Sequence, residues 1–136
     1  MLDLNGTLTS HGVLIDGVTE RLARLGAQLE VHVLSADTFG TLATVAAELG
    51  APVHPVATGE EKAREVVALG GDRCAAIGNG ANDAAMLEAA VLGIAVMGPE
   101  GAATSALGSA DVVCASILDA LDLLLDEQAL VATLRR

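Results

Sequence analysis

The chain has 136 residues, 52% of them hydrophobic with a mean hydropathy of +0.55, which suits one folded domain over residues 1–136 and excludes a disordered chain. A net charge of −11 argues against nucleic acid and anionic membrane lipid as partners. No run reaches the ~18 apolar residues of a membrane span, there is no leader pattern, and Cys74 and Cys114 form neither a C-x-x-C nor a cluster with histidines, so a cytoplasmic protein with two buried free thiols is expected.

The core must be aliphatic. There is no Trp or Tyr and one Phe, Phe39, against 26 alanines. Small side chains fill space only where elements approach closely, so tight helix–sheet packing is expected. A second subunit covering leftover apolar surface is one consequence, which makes a homo-oligomer an expectation.

In chain order, Met1-Leu2-Asp3 reads as the end of a strand with a carboxylate at its tip. Asn5-Gly6-Thr7 then turns the backbone away, Gly6 because it tolerates φ > 0. Only two residues precede Asp3, so this strand is very short or lacks upstream residues. Ser10–Gly17 suggests a small hairpin or flap beside Asp3, with His11 either reaching the site or, the favoured reading, an exposed turn residue. Val18–Leu25 patterns as a helix stopped by Gly26.

Leu29–Leu34 alternates as a strand ending at Ser35. Asp37 or Thr38 caps a helix over Phe39–Leu49, stopped by Gly50. A hydroxyl at Ser35, beside the free N–H groups of the following helix, suits a phosphate oxygen, although a plain strand-end residue reads the same way. His32 reads as structural.

Pro52–Val56 is a short strand whose prolines favour a sheet edge. Thr58 and Glu61 fit a capping box opening a helix to Leu69. Lys62, the single lysine, falls in the first turn, where the helix dipole disfavours a cation. An anion in the space it faces accounts for the misfit; a Glu–Lys pairing on a solvated face is the alternative.

Cys74–Ile77 is a buried strand, followed by Gly78-Asn79-Gly80-Ala81-Asn82-Asp83, a tight turn opening a helix. Gly78-x-Gly80 superficially matches a dinucleotide loop, but Asp83 stands where the third glycine belongs and would repel a pyrophosphate. Gly93–Gly98 and Asp111–Ala115 are strands, Gly101–Leu107 a short helix, and Ile117–Leu125 and Gln128–Leu134 closing helices. This alternation implies an α/β fold with a mainly parallel sheet between two helix layers, in three-layer α/β/α Rossmann-like order. In such sheets ligands sit beyond the strand C-termini. Asp3/Asn5, Ser35, Lys62 and Asn79/Asn82/Asp83 should therefore converge, supplying a carboxylate nucleophile, a hydroxyl, a cation and oxygen donors for Mg²⁺.

The order D-x-N-G-T at Asp3–Thr7, Ser35, Lys62 and G-N-G-x-N-D at Gly78–Asp83 resembles the four motifs of the haloacid dehalogenase (HAD) superfamily across nearly the whole chain. It is close to the P-domain of P-type ATPases and closer still to the stand-alone soluble P-type ATPase-like HAD proteins. The resemblance implies a HAD fold and a phosphohydrolase. Asp3 would be the phosphoryl acceptor and the Asn5 carbonyl an Mg²⁺ ligand. Ser35, Ala36, Gly6 and Lys62 would hold the phosphate, Asn79 and Asp83 would bind or support the metal, and Thr7 and Asn82 would support the site. Asn5 replaces the usual general acid/base Asp, which typically contributes 10²–10⁴-fold, so hydrolysis should be slow. Asn79 replaces an Asp, so Mg²⁺ binding should be weak.

Asp3 and Ser35 are separated by 31 residues and Ser35 and Lys62 by 26, too few for a cap domain. The site should be open and suited to a phosphorylated substrate as large as a macromolecule, unless a neighbouring subunit serves as lid. A catalytically impaired phosphate- or phosphoprotein-binding regulatory module is the alternative function. A two-component receiver domain fits poorly, because its acidic pair and mid-chain acceptor Asp are not where they should be.

Overall fold

The computed structural model describes residues 1–36 and 42–136. The expected caps Asp37 and Thr38 and the helix start at Phe39 lie outside them. Eight strands appear among the described residues: β1 (Leu2–Asp3), β2 (Thr9–Ser10), β3 (Val13–Leu14), β4 (Val33–Ser35), β5 (Val53–Pro55), β6 (Ala75–Gly78), β7 (Leu92–Val96) and β8 (Val112–Cys114). The helices are α1 (Val18–Gly26), α2 (Leu42–Leu49), α3 (Gly59–Ala68), α4 (Ala84–Ala89), α5 (Thr104–Ser109), α6 (Ile117–Leu125) and α7 (Glu127–Leu134).

Six strands form one parallel sheet in the order β5-β4-β1-β6-β7-β8. The short β1 is central, with Asp3 opposite Leu34 of β4 and Leu2 opposite Ile77 of β6. β5 is an edge, as its prolines require. β2 and β3 pair antiparallel as the expected hairpin, and His11 sits exposed in its turn at φ 50°.

Strand alternation sorts the core into two faces. Leu2, Val33, Ile77, Ile94 and Val96 face a cluster with Val18, Leu22 and Leu25 of α1 and Ile117, Ala120 and Leu121 of α6. Leu34, Ala76 and Ala95 face the other way, against Val66 of α3, Met86 and Leu87 of α4 and Ala106 of α5. The alanine-rich second face brings backbones close. A Cβ on Gly93 would lie 2.6 Å from the Leu87 carbonyl oxygen, and one on Gly59 would lie 2.5 Å from that of Asn82. The sheet and its two helix layers are the expected three-layer α/β/α architecture. Nothing larger than the β2–β3 hairpin is inserted among the described residues.

Several boundaries differ from expectation. The strand expected over residues 29–34 begins only at Val33, because the α1 exit keeps winding: the Gln28 and Leu29 N–H groups both donate to the Leu25 carbonyl, and Leu29 is about half exposed. The helix expected over residues 101–107 is Thr104–Ser109. Residues 98–101 instead form a turn closed by the Gly101 N–H on the Gly98 carbonyl at 2.9 Å. At the α3 entrance the Thr58 hydroxyl accepts from the Glu61 N–H at 3.2 Å, as a capping box requires, but Glu61 reaches back to the Ala57 N–H at 2.6 Å rather than to that of Thr58. His32 is structural: its Nδ1 meets Nε2 of His54 on β5 at 3.1 Å. Cys114 is buried, whereas Cys74 is only half-buried, and both are free.

Candidate active site

Asp3 is buried at the C-terminal tip of central β1, where Gly6, at φ +77°, bends the chain out of the sheet plane. The buried Thr7 hydroxyl returns from that turn to donate to Asp3 Oδ2 at 2.9 Å, and it also lies 3.1 Å from Asn79 Oδ1. Lys62 projects from the first turn of α3 and is almost completely buried. Its ammonium donates to Asp3 Oδ1 at 2.5 Å and to Asp83 Oδ1 at 2.7 Å. The space it faces is thus filled by two carboxylates, which explains a cation at an unfavourable helix position.

Asp83 is fully enclosed, and its second oxygen accepts from the Asn79 and Gly80 N–H groups at 3.1 and 2.8 Å. With both oxygens engaged, it supports the site from beneath. Asn79 is held by its amide nitrogen on the Gly101 carbonyl at 2.9 Å. Asn5 is exposed, and its amide donates to the buried Ser35 hydroxyl at 3.4 Å. Ala36 is exposed at the end of β4. Asn82 is exposed in the 3-10 turn Ala81–Asp83, where its backbone rather than its side chain touches α3 at Gly59.

Two buried carboxylates share one ammonium, leaving an excess negative charge. Burial first, and the Asp83 charge second, push the Asp3 carboxyl up to about 6 against the pull of Lys62 and Thr7. Burial favours the neutral amine at Lys62, but the charges and hydrogen bonds of Asp3 and Asp83 outweigh it and hold the ammonium above its ordinary range.

Among the described residues no three His, Cys, Asp or Glu side chains gather into a metal cluster. The donor set is instead one carboxylate, the neutral oxygens of Asn5 and Asn79, and the enclosed Asp83. All are hard oxygens of the type Mg²⁺ takes, and the excess negative charge favours a cation. A cavity of about 410 Å³ opens at the opposite end of the strands, lined by Leu25, His32, Leu69 and Leu124 among others. It contains none of Asp3, Lys62 and Asp83, which meet at the C-terminal rim.

The β5-β4-β1-β6-β7-β8 sheet with its two helix layers matches solved structures. A HAD family hydrolase of Streptomyces avermitilis superposes with a TM-score of 0.74 at 22% identity, over 94% of this chain and 84% of that one. The chain has the HAD fold. Other structures sharing the HAD fold include the cobalt-bound deoxy-D-mannose-octulosonate 8-phosphate phosphatase of Haemophilus influenzae (TM-score 0.73, 18% identity, 96% and 89% covered). The catalytic domain of the CPx-ATPase CopB-B matches at TM-score 0.70 and 25% identity, over 85% of this chain and 47% of that one. In sequence, the uncharacterised protein MJ0073 of Methanocaldococcus jannaschii is 55% identical over 60 residues, 44% of this chain and 64% of that protein, so less than two thirds of its length is matched. A second, MJ0072, is 50% identical over 38 residues, 28% of this chain and 86% of that protein. No family model matches the chain. No described helix is long and apolar enough to cross a membrane.

One polar residue at this HAD-fold rim carried no sequence signal. Glu100, in the turn after β7, accepts from the His11 N–H at 2.7 Å and brings its other oxygen over Gly6. Only the fold, which returns β7 beside β6 and lays its exit turn across Gly6, brings it there.

Proposed function

We propose that the protein is a Mg²⁺-dependent phosphohydrolase that forms an aspartyl-phosphate on Asp3. The supporting observation is the Asp3 carboxylate, buried at the tip of the central strand and gripped between the Lys62 ammonium and the Thr7 hydroxyl. Asp3, the Asn5 carbonyl and the Asn79 amide oxygen would hold the cation, with Asp83 in support. When bound, Mg²⁺ neutralises charge on the transferring phosphoryl group.

The chain's own residues account for the rest. An Asp3 oxygen attacks phosphorus, the bond to the leaving oxygen breaks, and Lys62 offsets the equatorial charge together with the hydroxyl of Ser35 and the N–H groups near Gly6 and Ala36. Asn5 cannot protonate the leaving oxygen or deprotonate the water that later attacks the acyl phosphate. Water must serve both steps, so good leaving groups are favoured and turnover is slow. The open rim suits a large phosphorylated substrate, or a second copy of the chain acting as lid.

Acetyl phosphate or p-nitrophenyl phosphate hydrolysis in Mg²⁺ tests this reading. Asp3→Asn should abolish turnover while leaving the fold intact by circular dichroism. Equal rates in the two proteins overturn it.

Asn5 favours a second reading, a phosphate- or phosphoprotein-binding regulatory module, because its amide bonds Ser35 instead of facing a substrate. That module binds phosphate or Mg²⁺ calorimetrically without hydrolysis and gains turnover in Asn5→Asp/Asn79→Asp. A double variant that stays inactive counts against it.

A further inference from the structure

The turn formed by residues 98–101 is bound to the rim at several points. Asn79 donates its amide to the Gly101 carbonyl at 2.9 Å, and the Ala103 N–H returns to the Asn79 carbonyl at 2.8 Å. On the other side, a Cβ on Gly98 would lie 2.9 Å from the Gly6 carbonyl oxygen, so the turn rests on the loop that follows Asp3. Glu100 is the charged residue of this turn. Its Oε1 accepts from the His11 N–H at 2.7 Å, which fastens the tip of the β2–β3 hairpin and fixes the carboxylate.

The space above Gly6 shows where the other oxygen goes. A Cβ built there would lie 2.9 and 3.1 Å from the Asn79 amide nitrogen and oxygen, and 3.1 Å from Glu100 Oε2. The Glu100 carboxylate and the Asn79 amide therefore converge on one point above Gly6, and the Thr7 hydroxyl lies between Asn79 and Asp3. Asn79 contributes no charge there, and Asp83 is spent on Lys62 and two backbone N–H groups. Among described residues Glu100 is the carboxylate at the rim that retains an oxygen no described residue donates to.

We propose that Glu100 is the outer carboxylate of the cation site: from the turn after β7, through water, it supplies the negative charge that the Asn79 amide lacks. This rests on the reading of Asp3, Asn5 and Asn79 as a divalent-cation site. Glu100 is a positioning and charge-supplying residue, because the distances put it beside Asn79 rather than on Asp3. Outer groups of this kind typically alter metal affinity by 10–100-fold without touching the ion. Glu100 itself is exposed, whereas Asn79 and Asp3 are buried, so its charge reaches the buried donors from the solvent side of the rim.

Calorimetric titration of Mg²⁺, and of Mn²⁺ followed by electron paramagnetic resonance, into wild type, E100Q, N79D and N79D/E100Q at neutral pH tests the proposal. Gln at position 100 still accepts from the His11 N–H, so E100Q removes the charge and keeps the hairpin latch. E100Q should weaken binding by about tenfold. N79D/E100Q should recover wild-type affinity or better, since charge returns to the same point from the other side. Thermal melts without metal should move little in E100Q. Wild type and E100Q binding equally tightly overturns the role of Glu100 and leaves the cation site standing. A loss in E100Q that N79D does not recover also overturns it, because Glu100 then acts through the hairpin. Failure of wild type and N79D alike to bind either ion overturns the cation site and this inference together.

Discussion

At the residue scale, Asp3 sets the pH behaviour. Its carboxyl is pushed up to about 6 in the fold, against 3.8 for the ordinary group, by burial and then by Asp83. The sign is the reverse of the usual surface carboxylate. The folded chain keeps a proton that the unfolded chain releases, so this group's contribution is most favourable below pH ~4 and is lost as pH rises towards ~6. Chemical denaturation in the absence of metal should therefore show this stability contribution shrinking over that window. Asp3→Asn, with nothing to titrate, should flatten the slope and be more stable than wild type at pH 7. Hydrolysis in Mg²⁺ should move oppositely, its acid limb following ionisation of the proposed nucleophile and falling below pH ~6, because a cation on the same carboxylate favours the charged form. A wild-type slope retained in Asp3→Asn would assign the titration to another group. The pairing of Asp3 with Lys62 was legible from residue type and helix position, since a lone lysine in a first turn needs an anion. Glu100 was not legible, because its loop carries no motif and its neighbours Gly6 and His11 are about ninety positions away in the chain.

At the element scale, α3 carries Lys62 to its partners, and its height over the sheet depends on one missing side chain. A methyl on Gly59 would sit 2.5 Å from the Asn82 carbonyl oxygen, and a backbone atom cannot swing aside as a flexible side-chain end would. Gly59→Ala, although a better helix former, should destabilise by about 1–3 kcal/mol, the usual range for overpacking. It should also slow turnover by lifting Lys62. Urea melts that show Gly59→Ala as stable as wild type would remove this account. The sequence revealed α3 well: Thr58 caps it and glycines follow it. It did not reveal why Gly59 must be glycine, since that requirement comes from a 3-10 turn more than twenty positions later. The strand expected over residues 29–34 failed for a related reason. Alternation looked the same in the wound exit of α1 as in a strand, and only the shared Leu25 carbonyl distinguishes them.

At the scale of the whole molecule, one buried ammonium joins β1, α3 and the turn before α4. Removing it leaves two carboxylates buried without their counter-ion, a loss that typically costs 3–5 kcal/mol. Lys62→Met should fall by about that amount in denaturant titrations, and by less when combined with Asp83→Asn, which removes one of the stranded charges. Additive losses in the double variant would refute the coupling. The layered architecture was legible because strand and helix alternate, and four strand tips or adjacent helix starts carry polar residues. The assignment of helices to faces was not, since alanine-rich stretches show no sharp apolar stripe. The tie between residues 3, 62 and 83 has a practical consequence for genetics. A survey that scores variants only by product formed would register position 62 as a chemical defect even where the loss came from unfolding. Abundance and rate must be measured side by side, because the ammonium proposed to offset phosphoryl charge is also the one that ties three elements together.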